Sequence, residues 1–197
     1  MSTYKDIKYN LGALTNGSGE ILLSTSTLSS DSNVQFTTGI DSTYKKYILR
    51  YLIHVSNDED NLLWQGSTNG GSGYGVTTTS TYFRAYHQED DGAAAFNVNA
   101  NADLAQSTNG ISLGRSIGND NDQIIVGYLC LFEPSDTTFV THYLAKNSLS
   151  SGGTNNASYH TFSGGFFNTT SAINAVRFIM TNGNLDAGTI KLYGVKG

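Results

Sequence analysis

The stretch KKYILRYLIHV, residues 45–55, decides the fold. It is short, almost continuously apolar and rich in β-branched and aromatic residues, and IIVGYLCLF at 124–132 matches it. Runs of this length and composition read as central strands, covered on one face and partly covered on the other. Working outward, strands are expected at 20–27, 60–67, 76–87, 138–146, 158–167, 173–181 and 188–195. One Pro in 197 residues, against 22 Gly, leaves chain reversal to Gly and Asn, which accept positive φ in tight turns. Asn16-Gly17, Asn69-Gly70-Gly71, Gly118-Asn119-Asp120, Gly152-Gly153-Thr154 and Asn182-Gly183-Asn184 mark those turns. The last of them joins 173–181 to 188–195 in an expected C-terminal hairpin. Residues 92–105 hold six Ala but no i, i+3, i+4 apolar stripe, so loop and edge strand are expected there. Short strands at this spacing predict an all-β chain, an antiparallel β-sandwich, with a jelly roll ahead of other Greek-key forms.

Composition narrows the function. Apolar residues make up 38% and aromatic residues 11% of the chain, too much for disorder, while charged residues make up only 14%. A net charge of -5 argues against a nucleic-acid partner held by a basic surface. The single Cys130 can form neither an intrachain disulfide nor a zinc cluster, and its apolar surroundings predict a buried, inert thiol. MSTYKDIKYN at the start lacks the apolar stretch of an export signal, and nowhere do 18 apolar residues run together. The expectation is a protein made in a cytoplasm with no membrane partner. Residues 1–18 stand apart from the sandwich of 19–197. Tyr4, Ile7, Tyr9 and Leu11 make this arm an anchoring or oligomer contact, or else an edge strand of its own sandwich.

Candidate chemistry is thin. His54, His87, His142 and His160 lack HExxH or HxH spacing, so no metal set and no cofactor are expected. His87 is followed by Glu89, Asp90 and Asp91, the pattern of a strand ending in an acidic turn, and no GxSxG elbow supplies it with a nucleophile. The acidic stretches 56–61 and 118–122 resemble calcium loops in composition without the calcium-loop spacing. Gly70 to Gly75 is Gly-rich but has no following Lys and opens no helix, so it reads as a surface turn. Trp64, Tyr82 and Tyr86, near Gln65, Asn69 and Asp90, are the candidates for stacking on a glycan. On period two, however, Tyr82, Arg84 and Tyr86 share one face and Phe83, Ala85 and His87 the other, and one of these rows must be core.

Six segments carry a resemblance: GIDSTYKKYILRYL (39–52), STYFRAYHQEDD (80–91), SIGNDND (116–122), LFEPSDTTFVTHY (131–143), FNTTSAINAVRF (167–178) and GTIKLYGVK (188–196). Together they resemble small β-sandwich virion structural proteins, tail or head appendages, of marine tailed bacteriophages. The similarity runs over nearly the whole chain from about residue 20, although DEDNLLWQGSTNGGSGY (58–74) follows the pattern only in its Gly-Gly-Ser-Gly-Tyr portion. The resemblance implies a non-enzymatic exterior part of the virion, a capsid decoration or a tail component, with other virion proteins as partners and a homotrimer as the expected state. It carries over no catalytic residue. A receptor- or glycan-binding module at a tail tip, with a host-surface glycan as partner, is the alternative. Few ion pairs and many hydroxyl and amide groups suit contacts made in concentrated salt, where the Debye length falls to a few ångströms.

Overall fold

The computed structural model describes residues 19–153 and 156–196, which form thirteen strands and no helix. In order they are β1 (Glu20–Asp31), β2 (Asn33–Phe36), β3 (Lys46–Val55), β4 (Asp60–Ser67), β5 (Thr78–Gln88), β6 (Ala94–Val98) and β7 (Leu104–Ser107). After them come β8 (Ile111–Ile117), β9 (Ile125–Phe132), β10 (His142–Ser150), β11 (Ala157–Phe167), β12 (Ala175–Met180) and β13 (Leu185–Val195). The arm candidates Tyr4, Ile7, Tyr9 and Leu11 lie outside the described residues.

Two antiparallel sheets result. The large one runs β1-β13-β3-β9-β10-β11-β5-β6, with β7 beside β5, and the small one runs β2-β12-β4-β8. Ladder partners nest: β1 with β13, β2 with β12, β3 with β9, β4 with β8. The eight strands are therefore one long antiparallel ribbon, rolled so that its halves alternate between the sheets. This is a jelly roll. Two insertions, β5–β7 after β4 and β10–β11 after β9, widen the large sheet alone.

The central runs behave as their sequences require. On β3 the odd residues Tyr47, Leu49, Tyr51, Ile53 and Val55 are buried, and Arg50 and Leu52 on the other face are exposed. Leu129 and Leu131 of β9 join that core, as do Trp64 of β4 and Phe178 of β12 from the small sheet. The sequence reading differs from the fold at two places. The expected C-terminal hairpin does not form: β12 pairs with β2 and β4, β13 with β1 and β3, so the turn at 181–184 crosses between sheets. Both strands have enough apolar surface for separate layers, and a local turn signal does not reveal which layer follows it. Strands β2 and β8 were also not foreseen, because β2 has four residues and β8 is interrupted by Gly114, Arg115 and Ser116. The Ala-rich stretch supplies the edge strands expected of it, β6 and β7.

Strand β8 carries the joint between layers. From Leu62 to Leu63 β4 advances one residue while β8 advances two, from Gly114 to Ser112, so Leu113 is the extra residue of a bulge. The Leu113 carbonyl points into the core, where it accepts from Asn147 Nδ2 (2.7 Å) and Thr161 Oγ1 (2.7 Å). The same amide donates to Thr161 Oγ1 at 3.1 Å, and its oxygen accepts from the Tyr51 hydroxyl. Gly127 lies directly opposite Asn147 in the ladder, and a Cβ there would overlap the Asn147 side chain. Three strands of the large sheet thus hold one carbonyl of the small sheet through a fully buried polar cluster.

Leaving such groups unpaired in a dry core costs about 1–3 kcal/mol each. Asn147→Leu should therefore lower the unfolding free energy in urea by about 2–4 kcal/mol. Thr161→Val, which leaves the Asn147 amide on the carbonyl, should cost about half as much. Equal stability of Asn147→Leu and the parent chain would show that the cluster does not register the sheets.

Candidate functional site

Register places all the short loops of one end together. Val55 faces Leu185, Asp31 faces Leu185, Ile125 faces Ile53 and Leu149, and Ala157 faces Gln88. The loops at 56–59, 89–93, 118–124, 151–153 and 181–184 therefore share one end of the sandwich. They contain Asp58, Glu59, Glu89, Asp90, Asp91, Asp120 and Asp122, seven of the chain's sixteen acidic residues, and no Lys or Arg. Several carboxylates here hold backbone. Asp58 accepts from Gly153 N at 3.2 Å, and the neighbouring Asp60, itself buried, accepts from Asn182 N and from Gly183 N at 2.7 Å. No three His, Cys, Asp or Glu side chains among the described residues group as a metal site.

The histidines do not converge. His54 on β3 faces Asp186 (3.2 Å) through Nδ1 and the Asn119 carbonyl (3.0 Å) through Nε2. His87 Nε2 meets Asp91 at 3.0 Å, an exposed pair four residues apart. His142 packs against Phe166, its ladder neighbour on β11.

The glycan candidates are corrected. Trp64 is fully buried, edge-on to Tyr143 and Phe167 with ring centroids 4.9 and 5.6 Å away. Tyr82 is buried too, on the core face of β5. Tyr86 follows it on the same face, half-buried against Tyr159, and Arg84 lies 4.6 Å over the Tyr159 ring. Between the two alternating rows of β5, the Tyr82 row took the core, and no stacking platform is formed from these three residues.

The exposed aromatic surface lies on the opposite face of the same strands. Nine large apolar side chains are exposed among the described residues, and seven of them leave the outer face of the large sheet: Leu22, Leu52, Phe96, Val98, Tyr128, Phe132 and Leu144. Their exposures reach 68% at Phe96, 61% at Val98 and 57% at Leu144. Cross-strand pairing sets the order of one row: Val98, Phe83, Phe162, Lys146, Tyr128, Arg50, Lys191. Phe83 stacks on Phe162 at 4.9 Å and an interplanar angle of 13°, and the Lys146 ammonium lies 5.4 Å over the Phe162 ring. In the next row Gly164 stands between Thr81 and Leu144 with no side chain. The gap is the centre of an apolar groove of about 410 Å³, with Cys130 at its floor and Tyr128, Leu144, Phe83 and Phe162 on its walls. Burial pushes the Cys130 thiol above its ordinary pKa, so it is no activated nucleophile.

A second, polar depression of about 360 Å³ lies at the other end, between Thr68, Asn69, Gly73 and Asn168. The Gly-rich turn beside it takes positive φ at Gly70 and Gly71 and is tied by Ser67 and Asn69 side chains. Family models, curated proteins and solved structures give no match to this chain.

Sequence reasoning missed the groove although its signal was present. On β11 Phe162 and Phe166 alternate with Thr161 and Ser163, and the aromatic set is the outer one.

The two core tyrosines carry a pH consequence. Burial pushes the Tyr82 phenol up to about 12 and the Tyr143 phenol higher still. Above pH 10 the unfolded chain releases phenolic protons that the folded chain retains, so stability is full below pH 10 and falls as pH rises through 12. Alkaline titration followed by tyrosinate absorbance should show the buried phenols ionising with unfolding, and Tyr82→Phe should reduce the steepness of that loss.

Proposed function

We propose that the chain is a non-enzymatic structural protein of a tailed phage virion, an exterior appendage on head or tail, multimeric and joined to other virion proteins. The reading rests on the resemblance of six segments to such proteins, and one structural observation carries it further. The described chain enters and leaves the sandwich at the same end: Gly19 accepts from Lys196 N at 3.2 Å, beside the first pair of β1 and β13. The acidic loops crowd the opposite end. A sandwich held by the segment before Gly19 therefore projects its loop-bearing end away from the attachment. This is the arrangement an appendage needs, with a rigid body, one tethered end and a negatively charged free end that repels other copies' tips.

The fold suits the task for a physical reason. Edges are the weak places of a sheet, and a jelly roll leaves few of them open while needing neither disulfide nor metal. With Trp64 and Tyr82 in the core, only Tyr86 of the three glycan candidates keeps a partly exposed ring.

Deleting residues 1–18 should leave a folded sandwich, with its cooperative thermal transition retained, that is absent from purified particles. Incorporation at the parent level would remove the arm from the anchoring role. Particles that never contain the full-length chain would overturn the virion reading itself.

A further inference from the structure

We infer that the outer face of the large sheet is the contact between copies of this chain, with a second copy as its occupant. The inference starts from sidedness. In a sandwich the outward row of each strand is ordinarily polar, because only the inward row is covered. On β5 and β11 the two rows are mixed instead. The inward residues of β11 include Thr161 and Ser163, and those of β5 include Thr78 and Ser80, all buried hydroxyls. The outward residues include Phe162 and Phe166 on β11, beside Ser158, His160 and Gly164, and Phe83 and Ala85 on β5, beside Thr79, Thr81 and His87. Central strands β3 and β9 continue the outer face with Ile48, Leu52, Tyr128 and Cys130. The outer side of this sheet thus carries seven of the nine exposed large apolar side chains of the described residues.

The shape of the apolar surface selects the occupant. The exposed residues reach from Leu22 on β1 to Phe96 and Val98 on β6, the full width of the sheet, and fall on several cross-strand rows. Eight strands at about 4.8 Å and six to eight residues of strand at about 3.3 Å give a face on the order of 800–1,000 Å². A stable interface buries about 800 Å² per partner, so the face is large enough for one alone. A single extended segment such as residues 1–18 would follow one row and leave the others in water. A two-dimensional array calls for a second layer, and the layer available in stoichiometric amount is another copy.

Charge permits the contact. Lys146 is over Phe162, and Arg50 is held by Glu20 at 2.7 Å and lies 5.4 Å over the Tyr193 ring, so these two have partners within their own copy, while Lys46 and Lys191 share the outer face with them. The acidic loops lie beyond the strand ends, outside the area of contact.

This inference rests on the multimeric part of the reading above. Its test uses the purified chain alone, so its failure leaves particle incorporation to be judged separately. Cys130 is the only cysteine of the chain and lines the groove, which makes it a reporter that needs no engineering. Sedimentation velocity over a wide dilution range should give a multiple of 21.1 kDa that dissociates on dilution. Thiol-reagent labelling of Cys130 should be slow in the associated form and speed up in step with dissociation. Leu144→Glu and, separately, Tyr128→Glu change side chains that already face outward. Each should weaken association by at least about tenfold while keeping the cooperative unfolding transition. A monomer whose Cys130 labels quickly at every concentration would overturn the inference. So would a monomer whose Cys130 is protected until residues 1–18 are removed, since the arm would then be the occupant.

Discussion

The Asn147 amide, held between Tyr51, Thr161 and the Leu113 carbonyl, is the constraint on which the rest of this sandwich depends. Two apolar sheet faces can slide over one another at little cost, because dispersion and hydrophobic burial are nearly indifferent to small shifts. A carbonyl freed by a bulge is not indifferent. It finds its donors at one placement of β8 over β3, β10 and β11, and any other placement buries it unpaired. The bulge, the opposing Gly127 and the buried amide therefore work as one unit. Since side chains alternate with period two, the register of each strand fixes which row faces outward. The apolar outer face exists because the core is pinned in this way.

The asymmetry of the layers has a second consequence. Strands β10, β11, β5 and β6 extend one sheet of the jelly roll with no counterpart in the other, and β8 lies against them beside Trp64 of β4, which packs on Tyr143 and Phe167. Small hydroxyl side chains on the inner face let β8 approach closely there. Tyr82 and Tyr143 fill the space left over, and their phenols pay for it by remaining without a hydrogen-bond partner. Aromatic side chains stand on both sides of these strands, Tyr82, Tyr86, Tyr159 and Phe167 inside and Phe83, Phe162 and Phe166 outside.

Much of this was legible in the residues. The continuous apolar runs at 45–55 and 124–132 became neighbouring central strands, β3 and β9. Gly and Asn marked the reversals, and the all-β jelly roll followed from their spacing. What was not legible is non-local. Whether the turn after Met180 folds back within a sheet or crosses to the other depends on partners far away in sequence, Leu62 and Phe36 for one strand and Ile48 and Leu22 for the other. β8 escaped because a twice-irregular strand has no clean alternation, yet its irregularity is what frees the carbonyl that joins the layers. Trp64 suggested a sugar platform because exposed Trp serves as one, but Trp is also the largest core filler, and its neighbours Leu62 and Phe178 decided the matter. The reliable surface signal lay elsewhere, in the alternation Thr161, Phe162, Ser163 with the aromatic on the unexpected side.

The two ends and the face of the sandwich act in different ranges of ionic strength. Contacts across the apolar face depend on surface removed from water, which salt does not screen and excluded salts strengthen. Repulsion between acidic loop ends is exposed and long-ranged, and it decays within a Debye length of about 10 Å at 0.1 M salt and about 3 Å at 1 M. Dilute salt therefore sets the free ends of neighbouring copies against one another while leaving the face contact intact, and concentrated salt removes that opposition. Lys146 and Arg50 are already held within their own copy by Phe162, Glu20 and Tyr193, so neither needs an intersubunit ion pair to survive the same change. In the inferred contact between copies, the apolar share of this face thus gives a strength that does not fall with the salt around it.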